Sequence, residues 1–240
     1  SQCAWWIESS SFRKHRLLAL GEHVSLVMAP PNASLIPGHH FYIVPLKHSP
    51  SLVHVMAEDD MSIWKEIQRF QTSLQNLYAR QGKSVIMLET VLDHSKGLWQ
   101  TKLEVIPVPF DTLQDAPMYF SSAMREQTEE WGTHTKLLKV SNNNKPLSSV
   151  IPKGFPYFFV EWGNMASSPS ATGYAQIIES KSFRHDFGVD TVAGMLELDP
   201  IRLRRQQKYS HEEERQQIKD FLTLWDKVDW TKELDGKPVK

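Results

Sequence analysis

The stretch "GHHFYIVPLKH", Gly38 to His48, places two adjacent histidines before a short apolar run and a third histidine after it. Its length, its aromatic and β-branched content and its proline-containing end predict a strand with polar termini. "HVSLVMAP", from His23, has the same form, and the loop "PNASLIPG" joins the two, so they are expected to pair. From Glu58 to Gly82 the period changes. Ile63, Ile67, Phe70, Leu74, Leu77 and Tyr78 recur at helical spacing, with Glu58, Asp59 and Asp60 at the end where the helix dipole favours negative charge. Arg80 and Gly82 suit its C-terminus.

Two further strands are expected in "SVIMLETVL" (from Ser84) and "KLEVIPVPF" (from Lys102), separated by the polar loop "DHSKGLWQ". An order of strand, strand, helix, strand, strand predicts an α+β fold, with a helix laid on a largely antiparallel sheet. A second, smaller α+β module is expected to follow, which divides the chain into residues 1–121 and 122–240. It would open with a helix from near Pro117 towards Trp131, carrying Tyr119, Phe120, Ala123 and Met124. A flexible connection, "SNNNKPLSS", precedes strands "FPYFFVEW" and "GYAQIIES", which flank the small polar loop "GNMASSPSAT". A short helix around "DTVAGMLEL" is expected to stop at Pro200. The last helix opens at Ser210 with Glu213 three residues on, a capping-box pattern, and turns Ile218, Phe221, Leu222 and Trp225 inward.

Composition bounds the function. In 240 residues, 27 Lys and Arg face 28 Asp and Glu, so no global field draws the chain to nucleic acid or to an anionic membrane, and any RNA contact must be local. A single cysteine, Cys3, excludes an internal disulfide framework and a thiolate-rich zinc site, and fits a reducing compartment such as cytosol or nucleus. Neither a run of about eighteen apolar residues nor a secretory signal pattern is present, so no membrane role is expected. The start, "SQCAWW", is read as a cut from something longer.

A glycine, a histidine, an apolar strand, then proline, a spacer and histidine resembles the early strand of the histidine-triad (HIT) superfamily. That superfamily's nucleophile is the middle histidine of an H-x-H-x-H strand, where alternation sets three imidazoles on one face. The corresponding stretch here is "LWQTKLEVIP", with Gln100, Lys102 and Glu104 at the three positions. Glutamine has no nucleophilic capacity, and a lysine would need a depressed pKa before it could attack phosphorus. The resemblance therefore implies a pseudoenzyme, with no catalytic residue and no cofactor. His94, in the nearby loop, is the other candidate for a displaced nucleophile, against the reading of a solvated loop histidine.

Over nearly its whole length the chain is similar to the CwfJ family, the Cwf-nineteen-like splicing factors. The segments that carry this include "SSSFRKHRLLALGEHVSL", "GHHFYIVPLKH", "LEVIPVPFD", "EEWGTHTKLL", "IPKGFPYFFVEWG", "FRHDFGVDTVAGMLELDP" and "WDKVDWTKEL". The resemblance implies a nuclear protein of the late spliceosome, acting on the intron-lariat complex in debranching and disassembly. Its implied partners are spliceosomal proteins, snRNA or intron lariat RNA, and the lariat debranching enzyme. Two alternatives stay open: a residual nucleotide or branched-RNA hydrolase, and a purely protein-binding scaffold.

Relatives with a C-x-x-C pair bind zinc through two histidines, and those four positions fall here on Cys3, Trp6, His48 and Gln100. Two are not ligands, so no metal is expected, and Trp6 is read as an apolar plug. The candidate groove residues are His39, His48, Gln100, Lys102 and Glu104. For His39, His40 and His48 a pocket role stands beside hydrogen bonding to loop backbone. Two basic clusters, Arg13, Lys14 and Arg16, then Arg202, Arg204, Arg205 and Lys208, are candidates for phosphate contacts or for acidic protein surfaces.

Overall fold

The computed structural model describes residues 3–92, 99–130, 136–141, 144–163, 172–199, 209–234 and 236, with backbone alone at 128–130. The described residues form eight strands and seven α-helices. In chain order these are β1 (Leu17–Leu20), β2 (Val24–Met28), β3 (Phe41–Pro45), α1 (Leu52–Met56), α2 (Ser62–Ala79), β4 (Lys83–Val91), β5 (Leu103–Pro109), α3 (Phe110–Gln114) and α4 (Ala116–Glu130). Then come β6 (Leu138–Val140), α5 (Leu147–Val150), β7 (Tyr157–Glu161), β8 (Gly173–Ile177), α6 (Phe187–Met195) and α7 (His211–Trp225).

All eight strands join one antiparallel sheet in the order β1-β2-β3-β5-β4-β7-β8-β6. The expected α+β class holds. The pairing of "HVSLVM" with "FYIVP" runs from Val24 opposite Pro45 to Met28 opposite Phe41. Residues 1–121 supply β1 to β5 and the later residues β6 to β8, so the two expected modules share a sheet, joined where β4 pairs with β7.

Strand alternation sends Phe41, Ile43, Leu103, Val105 and Met87 to one face. There α2 buries the predicted stripe of Ile63, Ile67, Phe70, Leu74, Leu77 and Tyr78. The helix starts at Ser62 rather than at Glu58, because Leu52–Met56 makes a short helix of its own, and Asp60 accepts a hydrogen bond from the Ser62 amide at 2.9 Å. At the far end Gly82 takes φ +70°, a conformation that costs a side chain energy and that ends the helix. On this same face lies α7, from the far end of the chain. Its Phe221 ring sits 4.4 Å from Phe41, and Trp225 and Trp230 sit 6.1 and 4.9 Å from Phe70. The Ser210 capping box forms as expected. Leu222, expected inward, is exposed: the helix packs on a narrow stripe of Ile218, Phe221 and Trp225.

The opposite face carries Ile86, Leu88, Ile106, Val108, Phe158 and Val160, covered by α3, α4 and α6. Phe120 and Met124 of α4 point into it as expected, while Tyr119 is exposed. Towards β2 and β3 the same face is covered by the N-terminal segment, with Trp5, Trp6 and Phe12 on Val27, Tyr42 and Val44.

Several expectations needed revision. Within the stretch read as a flexible connection, Ser141 and Lys145 exchange backbone hydrogen bonds, and Leu147–Val150 is helical with Leu147 buried. Strands β1 and β6 were not expected. Each is three or four residues long and sits at a sheet edge, too short to display a period. Residues 164–171 of the "GNMASSPSAT" loop, the stop at Pro200 and residues 93–98 of the loop around His94 lie outside the described residues.

Candidate functional site

Between the N-terminal segment and the helices of that second face, part of the sheet is left uncovered. The result is a cleft of about 640 Å³. Its floor is Tyr42 of β3, Thr90 of β4, and Lys102 and Glu104 at the start of β5. Trp5, Trp99, Arg13 and Arg16 also line it, as do His185, Asp186 and Val189 at the start of α6. Residues from both halves of the chain thus build one concavity.

Alternation explains the floor. Tyr42 lies directly opposite Glu104 in the β3–β5 ladder, so both side chains leave the sheet on the same side. Lys102 forms an ion pair with Glu104, whose other oxygen is 3.1 Å from His40 Nε2. The lysine ammonium also lies 3.8 Å from the Tyr42 ring centre and 4.8 Å from that of Trp5, a cation–π arrangement. Lys102 and Glu104 are 15% and 13% exposed, so the cleft reaches only one edge of the pair.

Electrostatics fix the charge states here. Burial pushes the Glu104 carboxyl up, but Lys102 and His40 outweigh it and bring its pKa down to about 2. For Lys102 burial pulls the pKa down, and Glu104 with Tyr42 more than restores it, so it rises above its ordinary value. The Tyr42 phenol, pushed by burial to about 12, stays neutral. An ammonium held this firmly has no lone pair for attack on phosphorus.

Gln100, expected in the groove with Lys102 and Glu104, is completely buried outside the cleft lining. Its side chain accepts from the Ser49 amide at 3.0 Å and donates to the Pro45 carbonyl at 3.0 Å, and its backbone amide points at Cys3 Sγ, 3.4 Å away. His48 is exposed beyond β3 and meets the Trp6 ring edge-on at 5.7 Å, and Trp6 Nε1 donates to the Leu46 carbonyl. The four positions tied by resemblance to a zinc site therefore do converge. Among them glutamine amide and indole occupy the places of two ligands, and no group of three His, Cys, Asp or Glu fit for a metal occurs among the described residues.

His39 is placed on the other face, with Nδ1 2.7 Å from the Tyr78 hydroxyl on α2, and burial lowers its pKa. It was His40, one residue later, that alternation delivered to Glu104. Of the basic clusters, Arg13 and Arg16 line the cleft, and Lys14 is exposed beside them. Arg16 is paired with Glu214 of α7, whereas the Arg13 side chain has no partner among the described residues. Arg202, Arg204, Arg205 and Lys208 lie outside the described residues. The sequence reading missed Trp5, Tyr42, Trp99, His185 and Asp186. Only Tyr42 had a local signal, its place two residues after His40 on the same strand face.

Two family models match the chain. "Protein similar to CwfJ C-terminal" covers residues 1–121, and "Protein similar to CwfJ C-terminus 2" covers 130–231. Among curated proteins, the chain is 34% identical to CWF19-like protein 2 of Homo sapiens over 96% of its own length and 24% of that protein's. It is 36% identical to CWF19-like protein 2 of Mus musculus over 97% of its length and 25% of the relative's. With the pre-mRNA-splicing factor cwf19 of Schizosaccharomyces pombe it shares 27% identity over 88% of its length and 32% of the relative's. The chain thus spans about a quarter to a third of these relatives.

Proposed function

This chain belongs to the CwfJ, or Cwf19-like, family, and we infer that it acts as part of a pre-mRNA splicing factor, by binding rather than by catalysis. The relatives' names support the splicing role. The non-catalytic reading rests on one observation: the charged side chains at the floor of the cleft, Lys102 and Glu104, are consumed by each other and by His40.

In this reading the protein is nuclear and works in the post-catalytic, intron-lariat stage. It binds lariat RNA in the cleft, which is HIT-like in origin, and docks spliceosomal proteins on the surrounding surface, bringing the debranching enzyme and disassembly factors to the excised intron. The lining supports an RNA ligand, because single-stranded nucleic acid is held by aromatic platforms together with cations that meet phosphate.

Fluorescence anisotropy with a short branched RNA and its linear counterpart, at several salt concentrations, tests this. Tighter binding of the branched form, lost on charge reversal at Arg13, is expected. Absent binding would move the function to protein contacts alone. Turnover of a dinucleotide or branched substrate, abolished in Lys102→Ala, would overturn the non-catalytic reading in favour of a residual hydrolase.

A further inference from the structure

The charges of the cleft are unevenly distributed. At the floor, Lys102 is neutralised by Glu104, which His40 also contacts. A phosphate driven to the floor would meet a carboxylate whose pKa lies far below neutrality, and would gain little from an ammonium already paired. At the wall, Arg16 is likewise engaged, by Glu214. Arg13 is different: it is exposed, lines the cleft, and has no ion-pair partner among the described residues.

The cleft also has an aromatic lining. Tyr42 is 2% exposed, and the half-buried indoles of Trp5 and Trp99 stand edge to face, 5.3 Å apart. Beside them, the reachable edge of the Lys102–Glu104 pair offers an N–H donor next to a carboxylate acceptor. A heterocyclic edge bearing both an acceptor and a donor complements such a pair, and every nucleobase has one. A phosphate, which only accepts, satisfies the lysine and is repelled by the glutamate.

We propose that the cleft takes one unpaired nucleotide with its base inward, against the Lys102–Glu104 pair and the Trp5 and Trp99 indoles, and its phosphate outward at Arg13. The proposal rests on the RNA-binding reading above and adds an orientation to it. The cleft is then a reader of splayed-out bases rather than a backbone track. Because His185 and Asp186 complete the lining, the reader exists only when both halves of the chain are folded together.

The test uses the whole chain and fluorescently labelled pentaadenylate, either intact or with its central nucleotide abasic. Base-inward binding predicts that the abasic oligonucleotide binds about 5- to 150-fold more weakly, the loss typical of one stacked base. Glu104→Gln should shrink that ratio, since an amide offers Lys102 no charge and presents the base a changed edge. Trp99→Ala, at a half-exposed position, should shrink it independently, and circular dichroism would confirm that both variants are folded. Arg13→Ala should weaken both oligonucleotides by the same factor and leave the ratio intact. Equal binding of the two oligonucleotides would overturn the orientation while leaving RNA binding standing. A ratio unmoved by Glu104→Gln and Trp99→Ala would overturn it too, by placing the stacking elsewhere. Absence of binding to either oligonucleotide, and to branched RNA, would end both readings.

Discussion

Replacing Phe221 by alanine probes whether the two halves of the chain are one cooperative unit. Phe221 is 1% exposed on α7, yet its ring lies 4.4 Å from Phe41 of β3 and 6.0 Å from Trp225, with Phe70 of α2 beyond. Truncating a buried phenylalanine costs about 3–5 kcal/mol, the transfer of the ring plus the cavity it leaves. Here the helix is held by a narrow stripe of Ile218, Phe221 and Trp225, so the upper part of that range applies. With a urea m-value of about 3 kcal/mol/M, reasonable for a large domain, the midpoint falls by about 1.3–1.7 M. Far-UV circular dichroism and tryptophan fluorescence should move together in one transition, because Phe41, Phe70 and Trp225 share a core. The reasoning fails if the variant unfolds in two steps, with the part attributable to residues 1–121 keeping the wild-type midpoint. That would mean α7 merely rests on the first half.

Other outcomes follow from single sites. Glu89 is fully buried beneath the sheet, accepting from Thr101, Tyr157 and, at 2.8 Å, the Leu52 amide, and burial raises its pKa to about 7. Between about pH 4.5 and 7 the folded state therefore binds more protons than the unfolded one. This group's contribution to stability falls as pH rises through that window, by up to about 3 kcal/mol, and denaturation of Glu89→Gln should lack that slope. Gly173→Ala would set a Cβ 2.1 Å from the Val160 carbonyl oxygen across the β7–β8 ladder. A loss of about 3 kcal/mol or more is expected, read as a fall in Tm. Ser210→Ala removes the cap on the Glu213 amide and should cost about 1 kcal/mol in urea titration. For Arg13→Glu, RNA affinity should fall and the slope of log K against log salt should shrink by about 0.7 or more, the share of one phosphate contact to a single strand.

How far the sequence could be read depended on the range of the signal. The stripe from Ile63 to Tyr78 and the capping box at Ser210 are written in residues a few places apart, and both formed where the spacing put them. Strands β1 and β6 carry too few residues to show a period. For the site, alternation along one strand placed Lys102 and Glu104 together on the cleft floor. It could not separate Gln100 from them, because what removes Gln100 is the Ser49 amide and the Pro45 carbonyl, fifty-odd residues away in the chain. The choice of His39 over His40 was an error of face by one residue, and in a strand one residue is the whole difference between the Tyr78 side and the Glu104 side.

By itself, then, the amino-acid order determined the longer elements, the α+β class and the want of a histidine at the three positions of β5 and its approach, since each is a matter of local pattern and residue type. Only the tertiary structure decided that β4 joins both halves in one sheet, that α7 returns to the first half, and that Trp5, Trp99, Arg13 and His185 meet around one cleft. Those are contacts between residues tens to nearly two hundred positions apart. They are selected by how much apolar surface the whole chain buries, a quantity that no short window of sequence contains.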